Sequence, residues 1–241
     1  MEASVSRYGQ NVLSQVEDVG NPNAFRYLDK YRGKYCTFND DIQGTAGVVV
    51  SGLLAAKRVT GKKISENKFL FLGAGEASIG IADLCVKAME LEGLSQEEAR
   101  NKIWMVDIDG LLAKGRPEGK LEGHKAYYAK DHKPVKDFPS VVKEVKPSVL
   151  IGASAVAGAF TPGILKDMAS FNDKPIIFAL SNPTDKAECT AEQAYTNTDV
   201  CIGRSVGSDK SHFSGSVYFC QWFSIWTCQL QRAHVLPRTR K

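Results

Sequence analysis

Apolar side chains recur at helix-like intervals in four segments of the chain. In residues 24–35 they follow the spacing of one helix face, and Asn23 is a plausible N-cap for that helix. Residues 47–59 are mostly small or apolar, which is typical of a buried helix. The pattern also predicts helices over residues 77–92 and 161–170, the second with a proline in its first turn, where proline is tolerated.

Four short apolar runs separate these helices and are typical of strands that are buried on both faces. They span residues 68–72, 103–106, 148–152 and 176–180. Because strands alternate with helices, the sequence predicts an α/β fold with a doubly wound parallel sheet of the Rossmann type. A short helical segment precedes this sheet.

The composition excludes several classes of protein. The chain has 241 residues, 43% hydrophobic and 24% charged, which suits one large α/β domain or one domain plus part of another. The residues beyond Asp199 carry a net charge of +5 and the rest of the chain −1, so the core is near neutral and binding to nucleic acid has no support. No apolar run reaches the roughly 20 residues of a membrane span, and the first residues lack a signal-peptide pattern. Cys36, Cys85 and Cys189 have no metal or redox spacing, so we expect buried free thiols in a reducing compartment.

A glycine-rich loop directly follows the first predicted strand. It consists of Gly73, Ala74, Gly75, Glu76 and Ala77. The first glycine permits a tight turn, the second lets the backbone approach a pyrophosphate, and the small Ser78 permits close helix–strand packing. The positive N-terminus of the next helix would point at the phosphates. An ordinary strand-to-helix turn is the alternative, but the strand before and the helix after favour a dinucleotide site.

Asp107 ends the second predicted strand, where dinucleotide-binding domains carry the acid that binds the ribose hydroxyls. It lies farther along the chain than usual because residues 93–100 form a polar insert. A surface acid that caps the next turn is the alternative. A cofactor with a 2′-phosphate would need a nearby cation, for which Lys125 is a candidate, whereas Asp109 would repel that phosphate.

Two acidic pairs precede the glycine loop. They are Glu17 with Asp18, and Asp40 with Asp41. Carboxylate oxygens select hard cations, Mg²⁺ or Mn²⁺, over zinc. Acidic pairs are usually only solvated surface, so the pairs by themselves indicate a metal site weakly.

These motifs together resemble those of the malic enzymes. The two acidic blocks are EDVGNPNAFR at residues 17–26 and KYCTFNDDIQGT at residues 34–45, and both are similar to the family signature nearly residue for residue. The turn SNPT at residues 181–184 also has the family pattern. The resemblance runs from Met1 to about Asp199. It implies a metal-site segment at 1–46, a remnant of the substrate domain, then a dinucleotide-binding domain at 47–199 and an aberrant tail at 200–241.

The resemblance implies a role for several residues. The metal ligands correspond to Glu17, Asp18 and Asp41, and the metal would be Mg²⁺ or Mn²⁺. Asp40 matches the acid that pairs with a catalytic lysine absent from this chain. Asn182 matches an asparagine that contacts both substrate and nicotinamide.

The same resemblance implies the cofactor. Thr45 and Asn182 join the glycine loop and Asp107 as cofactor-binding residues. Lys125 lies in the segment that carries an NADP-selecting lysine, and the core is most similar to the animal NADP-dependent enzymes. We therefore predict NADP, with NAD as the alternative.

The implied reaction is oxidative decarboxylation of (S)-malate to pyruvate and CO₂ with reduction of NAD(P). In the family a tyrosine acid, a lysine base and a substrate-clamping arginine come from an N-terminal domain, and no residue here matches them. We therefore expect this chain by itself to be catalytically incomplete. The alternatives are a non-catalytic NAD(P)-binding module and an amino-acid dehydrogenase, which would need a lysine but no metal. The family implies a homo-oligomer in the cytoplasm, or alternatively in the mitochondrial matrix, with no membrane partner.

Beyond Asp199 the sequence departs from the family pattern. A malic enzyme should continue GRCIFASGSPF, but the chain has VCIGRSVG at residues 200–207. Codons allowed for residues 215–241, read one nucleotide later, can spell the missing continuation, and the codons around Val200 and residues 213–215 can supply the ends of a short intron. We therefore interpret the tail as the product of a retained intron, whose aromatic residues would expose an apolar patch.

Overall fold

The computed structural model describes residues 1–117, 119, 121 and 123–198, and the backbone of a strand at Ile202–Ser205. The helices are α1 Glu2–Tyr8, α2 Asn21–Tyr31, α3 Thr45–Thr60, α4 Glu76–Leu91, α5 Gln96–Asn101, α6 Phe138–Val145, α7 Pro162–Phe171 and α8 Ala191–Asn197. The strands are β1 Ser14–Val16, β2 Thr37–Asn39, β3 Phe69–Leu72, β4 Ile103–Asp107, β5 Gly110–Leu111, β6 Val149–Gly152, β7 Ile176–Ala179 and β8 Ile202–Ser205. Among the described residues, no helix is both long and apolar enough to cross a bilayer.

The main sheet has the strand order β5-β4-β3-β6-β7-β8. Neighbouring strands run parallel except β4 and β5, which are antiparallel. From β3 the chain continues outward on one side to β4, and from β6 it continues outward on the other side to β7 and β8. The strand order therefore reverses between β3 and β6, as it does in doubly wound folds.

Helices cover both faces of the sheet because alternate strand residues point to opposite sides. Phe69 and Phe71 pack with α3 and α4 in one buried cluster. Leu70 packs in a second cluster with side chains of α6, α7 and α8. The predicted α/β fold with a doubly wound, mainly parallel sheet is thereby confirmed.

The segment before the domain is less helical than we predicted. β1 and β2 pair in parallel, with Val16 opposite Asn39, and α2 connects them. A π-helical turn at Asp40–Gly44 then leads directly into α3. The Asn39 side chain begins this turn by accepting a hydrogen bond from the Ile42 N–H at 2.8 Å. The second acidic pair therefore lies on a turn fixed at both ends.

The predicted helices and strands all exist, with small differences at their ends. The largest difference is α2, which begins at Asn21 and ends at Tyr31, four residues before the predicted end. The polar insert contains a short helix, α5, whose N-cap Ser95 forms a capping box with Glu98. The sequence analysis did not predict α1, α6 or α8, nor the short strands β1, β2 and β5. Cys85 and Cys189 are buried free thiols as expected, but Cys36 is exposed, so that part of the prediction is wrong.

Candidate dinucleotide and metal site

The strand order reverses between β3 and β6, and open α/β sheets bind ligands in the crevice at the carboxyl ends of the strands at such a point. The loop after β3 begins at Gly73, and the loop after β6 begins at Ala153. Gly73 has a φ of 105°, and a Cβ on it would lie 2.4 Å from the Ala153 carbonyl oxygen. Glycine is therefore required here by backbone conformation and by close approach of the two loops.

The glycine loop leads into α4 as predicted for a phosphate-binding turn. Gly75 is the extended N-cap of α4, which begins at Glu76 and is 16 residues long. Ala74 and Ser78 are buried, so the helix packs closely on the sheet. The N-terminus of α4 therefore lies at the carboxyl end of β3, where a dinucleotide pyrophosphate would bind.

Asp107 lies at the end of β4, next to the glycine loop, and two cations contact it. The Arg116 guanidinium donates two hydrogen bonds to its carboxylate, at 2.8 and 2.9 Å. Lys125 Nζ is 3.4 Å from Asp107 Oδ2. The Arg116 side chain is only 3% exposed, so this ion pair is fixed by the protein interior. Burial raises the pKa of Asp107, but the hydrogen bonds from Arg116 and the Asp109 N–H, with both cations, lower it overall.

The segment that carries Lys125 is anchored on both sides. Tyr128 is fully buried and its hydroxyl donates to Asp83 Oδ1 at 2.5 Å. His124 stacks on Phe25 of α2, with ring centroids 4.1 Å apart. From the sequence we expect His124, His132, His212 and His234 to be solvated, because none matches a site of the family, but His124 is only partly exposed. His132 is also half-buried, against Trp104, while His212 and His234 lie outside the described residues.

The two acidic pairs lie close to each other. The Asp18 N–H donates to Asp41 Oδ2 at 2.8 Å, and the Asp40 and Glu17 carboxyls share a hydrogen bond. Asp18 itself has a left-handed backbone, with a φ of 51°. The parallel pairing of β1 with β2 thus brings together acids that are 23 residues apart in sequence.

Burial and mutual repulsion raise the pKa of two acids at this point, Asp40 and Glu76. Burial raises the pKa of Asp40, and the charges of Glu17 and Asp41 raise it further. Burial also raises the pKa of Glu76, as do the charges of Asp41 and Asp18. Glu76 of the glycine loop therefore faces the acidic pairs. The all-oxygen donor set suits Mg²⁺ or Mn²⁺, but within the described residues no three acid, His or Cys side chains form a group that could hold a metal ion.

The remaining predicted residues lie at the same edge of the sheet. Thr45 begins α3, and its hydroxyl is 3.5 Å from the Asp40 carbonyl oxygen. Asn182 is exposed just past the carboxyl end of β7. The contacts of Asn182 and Thr45 with substrate or cofactor stay predictions.

Sequence reasoning missed two residues of this site. Arg116 lies nine residues beyond Asp107, in a polar stretch at residues 115–133 for which the sequence predicts neither helix nor strand. The only indication of it in the sequence was that a single arginine lies close to the acid at the end of the strand. Glu188, which is fully buried behind the loops at the ends of β6 and β7, had no sequence signal besides being an acid between two small apolar residues.

The order of the strands, the glycine loop and the strand-end acid define a dinucleotide-binding domain of the Rossmann type. Comparison with known proteins gives the family. The family profile "Malic enzyme, NAD binding domain" matches residues 42–215, and the chain belongs to this family. This match continues beyond Asp199, where we expected the resemblance to stop. Of the tail, only the backbone of β8 lies within the described residues, as the sixth strand of the sheet.

Animal relatives are similar over most of the chain. An "NADP-dependent malic enzyme" of Anas platyrhynchos is 58% identical over 213 residues, which is 88% of this chain and 37% of the relative. The "NADP-dependent malic enzyme, mitochondrial" of Homo sapiens is 55% identical over the same share of this chain and 34% of its own length. The chain thus spans just over a third of the relatives it matches.

Solved structures agree in fold. The malic enzyme of Entamoeba histolytica superimposes with a TM-score of 0.66 at 26% identity, covering 83% of this chain and 40% of that one. The NAD-dependent malic enzyme of Thermotoga maritima superimposes with a TM-score of 0.64 at 28% identity, covering 80% and 48%. The domain fold of this chain therefore also occurs in a family member named for NAD.

Proposed function

We propose that the chain is the cofactor- and metal-binding part of an NADP-dependent malic enzyme. The observation that carries the proposal is the pair of cations, Arg116 and Lys125, on the strand-end acid beside the glycine loop. A free carboxylate at this position repels a 2′-phosphate. Here the charge of the Asp107 carboxylate is already compensated by the two cations. The Lys125 side chain is 37% exposed, so it is accessible to the phosphate.

The cofactor lies across the crevice in this proposal. Its pyrophosphate binds the N–H groups at the start of α4, its adenosine ribose lies against Asp107, and its 2′-phosphate binds Lys125. The nicotinamide then lies between the loops after β6 and β7, near Asn182. Thr45, at the start of α3, contacts the cofactor from the metal side.

Glu17, Asp18 and Asp41 bind Mg²⁺ or Mn²⁺ in the proposed site, and Asp40 stays unligated to hold a lysine from elsewhere in the enzyme. A divalent cation held there would supply Lewis-acid chemistry to the substrate. Burial raises the pKa of Asp40, and the nearby charges of Glu17 and Asp41 raise it further. A divalent ion would relieve that repulsion between carboxylates, which supports cation binding.

The whole-enzyme reaction proposed is oxidative decarboxylation of (S)-malate to pyruvate and CO₂ with reduction of NADP. The 241 residues by themselves bind the cofactor without useful turnover, because no described tyrosine, lysine or arginine matches the acid, base and clamp of the family. Acid–base groups contribute about 10²–10⁴-fold each, so losing them together removes measurable catalysis. The enzyme is a homo-oligomer of the cytoplasm, with the mitochondrial matrix as the alternative.

Cofactor binding to the purified chain tests the central claim. NADPH and NADH affinities are measured by nucleotide fluorescence for the chain and for Lys125→Gln. Loss of the lysine charge should weaken NADPH about tenfold and leave NADH nearly unchanged. Lys62→Gln is the matched control, since Lys62 is an exposed lysine before β3, at the opposite edge of the sheet. Equal NADPH affinities for the chain and for Lys125→Gln would refute the role of Lys125.

Two further measurements separate the enzyme from a non-catalytic module. Malate-dependent NADPH production with Mn²⁺ should be absent for the chain and present for a full-length homologue assayed in parallel; a robust rate from the chain would contradict its incompleteness. In the full-length homologue, Asp41→Asn should change the metal dependence of turnover. An unchanged dependence would rule out Asp41 as a ligand.

A further inference from the structure

Glu188 is the most completely buried acid among the described residues that the proposed reaction does not use. It lies between β7 and α8 and is 0% exposed. Its Oε1 accepts hydrogen bonds from the Ser154 N–H and hydroxyl, both at 2.9 Å, and from the Ser181 hydroxyl at 2.5 Å. The Ser181 N–H lies 3.4 Å from Oε2. A buried carboxylate is costly unless it is fully hydrogen-bonded, so this residue is fixed by the two loops that it joins.

Ser181 extends this network to the backbone of the loop after β6. Its hydroxyl oxygen accepts hydrogen bonds from the Ser154 N–H at 3.1 Å and the Ala155 N–H at 2.8 Å. Ala155 has a φ of 56°, a left-handed conformation that is unfavourable for a residue with a Cβ. The network therefore holds this loop in a conformation that the loop would not adopt by itself.

The same loop forms one wall of the cofactor crevice. Its first carbonyl, that of Ala153, lies against Gly73 of the glycine loop. On the other side, a Cβ on Gly152 would lie 2.5 Å from Glu188 Cδ. The absence of a side chain at Gly152 therefore makes room for the Glu188 carboxylate. Asn182 directly follows Ser181 and depends on the same anchor. Glu188 thus connects the ends of β6 and β7 to each other and, through Ala153, to the glycine loop.

We propose that Glu188 is a positioning residue for the nicotinamide half of the cofactor. Its carboxylate holds the loops after β6 and β7 at the spacing that the nicotinamide and its ribose require, without touching the ligand. This inference rests on the proposed NADP site. The adenosine half, bound by Asp107 and Lys125, lies on the other side of β3 and does not depend on Glu188.

Two ligands test the inference on the intact 241-residue chain. NADP spans the whole crevice, whereas adenosine 2′,5′-bisphosphate occupies only its adenosine end. Calorimetric affinities for both are measured for the chain, Glu188→Gln and Ser181→Ala. Each variant should bind NADP about tenfold more weakly and the bisphosphate within about twofold of the unsubstituted chain, because a lost buried hydrogen bond displaces only the nicotinamide wall.

Glu92→Gln is the matched control. Glu92 also accepts backbone hydrogen bonds, from the N–H groups of Ser65 at 2.7 Å and Ile64 at 3.4 Å, but it lies at the far end of α4 from the crevice. It should leave both affinities unchanged. If Glu188→Gln does not fold, Ser181→Ala, which keeps the carboxylate, decides the question.

The outcomes are distinct. Unchanged NADP affinity in both variants overturns the inference, and so does an equal loss for the two ligands, which would indicate general destabilisation. If the unsubstituted chain binds neither ligand, the proposed function is wrong and the inference fails with it. If the chain binds both, and the variants lose only NADP affinity, Glu188 positions the nicotinamide wall.

Discussion

The Ile42 carbonyl oxygen lies where a side chain on Gly80 would be: a Cβ built on Gly80 would be 2.6 Å from it. Gly80 is on α4, the helix that follows the glycine loop, and Ile42 is on the π-helical turn that carries Asp40 and Asp41. Backbone contact at this point sets the distance between the acidic pairs and the cofactor loop.

Gly80→Ala should therefore push these two elements apart. We expect a loss of about 1–3 kcal/mol in the free energy of unfolding, together with weaker Mn²⁺ binding. Denaturant unfolding and manganese titration measure the two effects. Gly33→Ala is the control because nothing lies within 4 Å of a Cβ at Gly33. Equal stability of Gly80→Ala and Gly33→Ala would contradict the close contact.

Arg116→Lys should destabilise the chain although the charge is kept. Lysine cannot reproduce the two parallel hydrogen bonds to Asp107, and Arg116 is almost fully buried. The expected cost is about 1–3 kcal/mol in the free energy of unfolding. Urea denaturation measures it, with Arg58→Lys on the exposed end of α3 as the matched control. A cost no larger than that of the control would mean that the two parallel hydrogen bonds do not add to the free energy of unfolding.

The Asp107 carboxylate should make stability depend on acid pH. Its pKa is lowered in the folded chain, so its ionised form stabilises the fold above the ordinary value of 3.8, and that stabilisation is lost as the pH falls through the lower folded value. The stability difference between the chain and Asp107→Asn should therefore shrink between about pH 5 and pH 3. Thermal denaturation across this range measures it, and a difference that stays constant would contradict the lowered pKa.

Lys130 should make stability rise with pH in the alkaline range. Burial, together with the charge of Lys114, lowers the pKa of Lys130 from 10.5 to about 8, and its ammonium donates to the Arg100 carbonyl oxygen at 2.7 Å. A lysine with a lowered pKa opposes folding below that value, so stability should rise with pH between about 8 and 10.5, by up to roughly 3 kcal/mol. Lys130→Met removes this rise, which guanidinium unfolding at pH 7.5 and 9.5 would detect. Identical pH dependence in chain and variant would show that Lys130 has an ordinary pKa.

The interpretation of the tail as the product of a retained intron can be tested on the gene. Genomic DNA across residues 199–215 should contain intron boundaries, and the frame after them should encode the family continuation. Sequencing this region decides the matter, since the absence of either the boundaries or the open shifted frame would end the interpretation.

Patterns in the sequence predicted those parts of the structure that are determined by residues close together in the chain. The buried strands and the glycine loop each have their signal within a few residues, so β3, β4, β6 and β7 were placed almost to the residue. The strands β1 and β2 were missed because three residues are too few for a period-two pattern. Their pairing is what brings the acidic pairs together.

From the sequence, the site could be predicted only at positions where the local backbone permits a single residue type. Gly73 is such a residue, since both its φ and its close contact exclude a side chain. Arg116 and Glu188 act through partners 9 and up to 34 residues away, and nothing local fixes their identity. A single sequence does not contain that information, because the pairing depends on how the loops fold back.

The ion pair between Asp107 and Arg116 has a consequence for how the family can change its cofactor. The acid is part of a buried structural unit, so it stabilises the fold whether or not it also binds a ribose hydroxyl. In the proposed site, selectivity lies with the half-exposed Lys125, where a substitution would alter the preference for a phosphate without removing the buried ion pair. The residue that maintains the architecture is thereby separate from the residue proposed to select the nucleotide, so a change of cofactor preference need not disturb the fold.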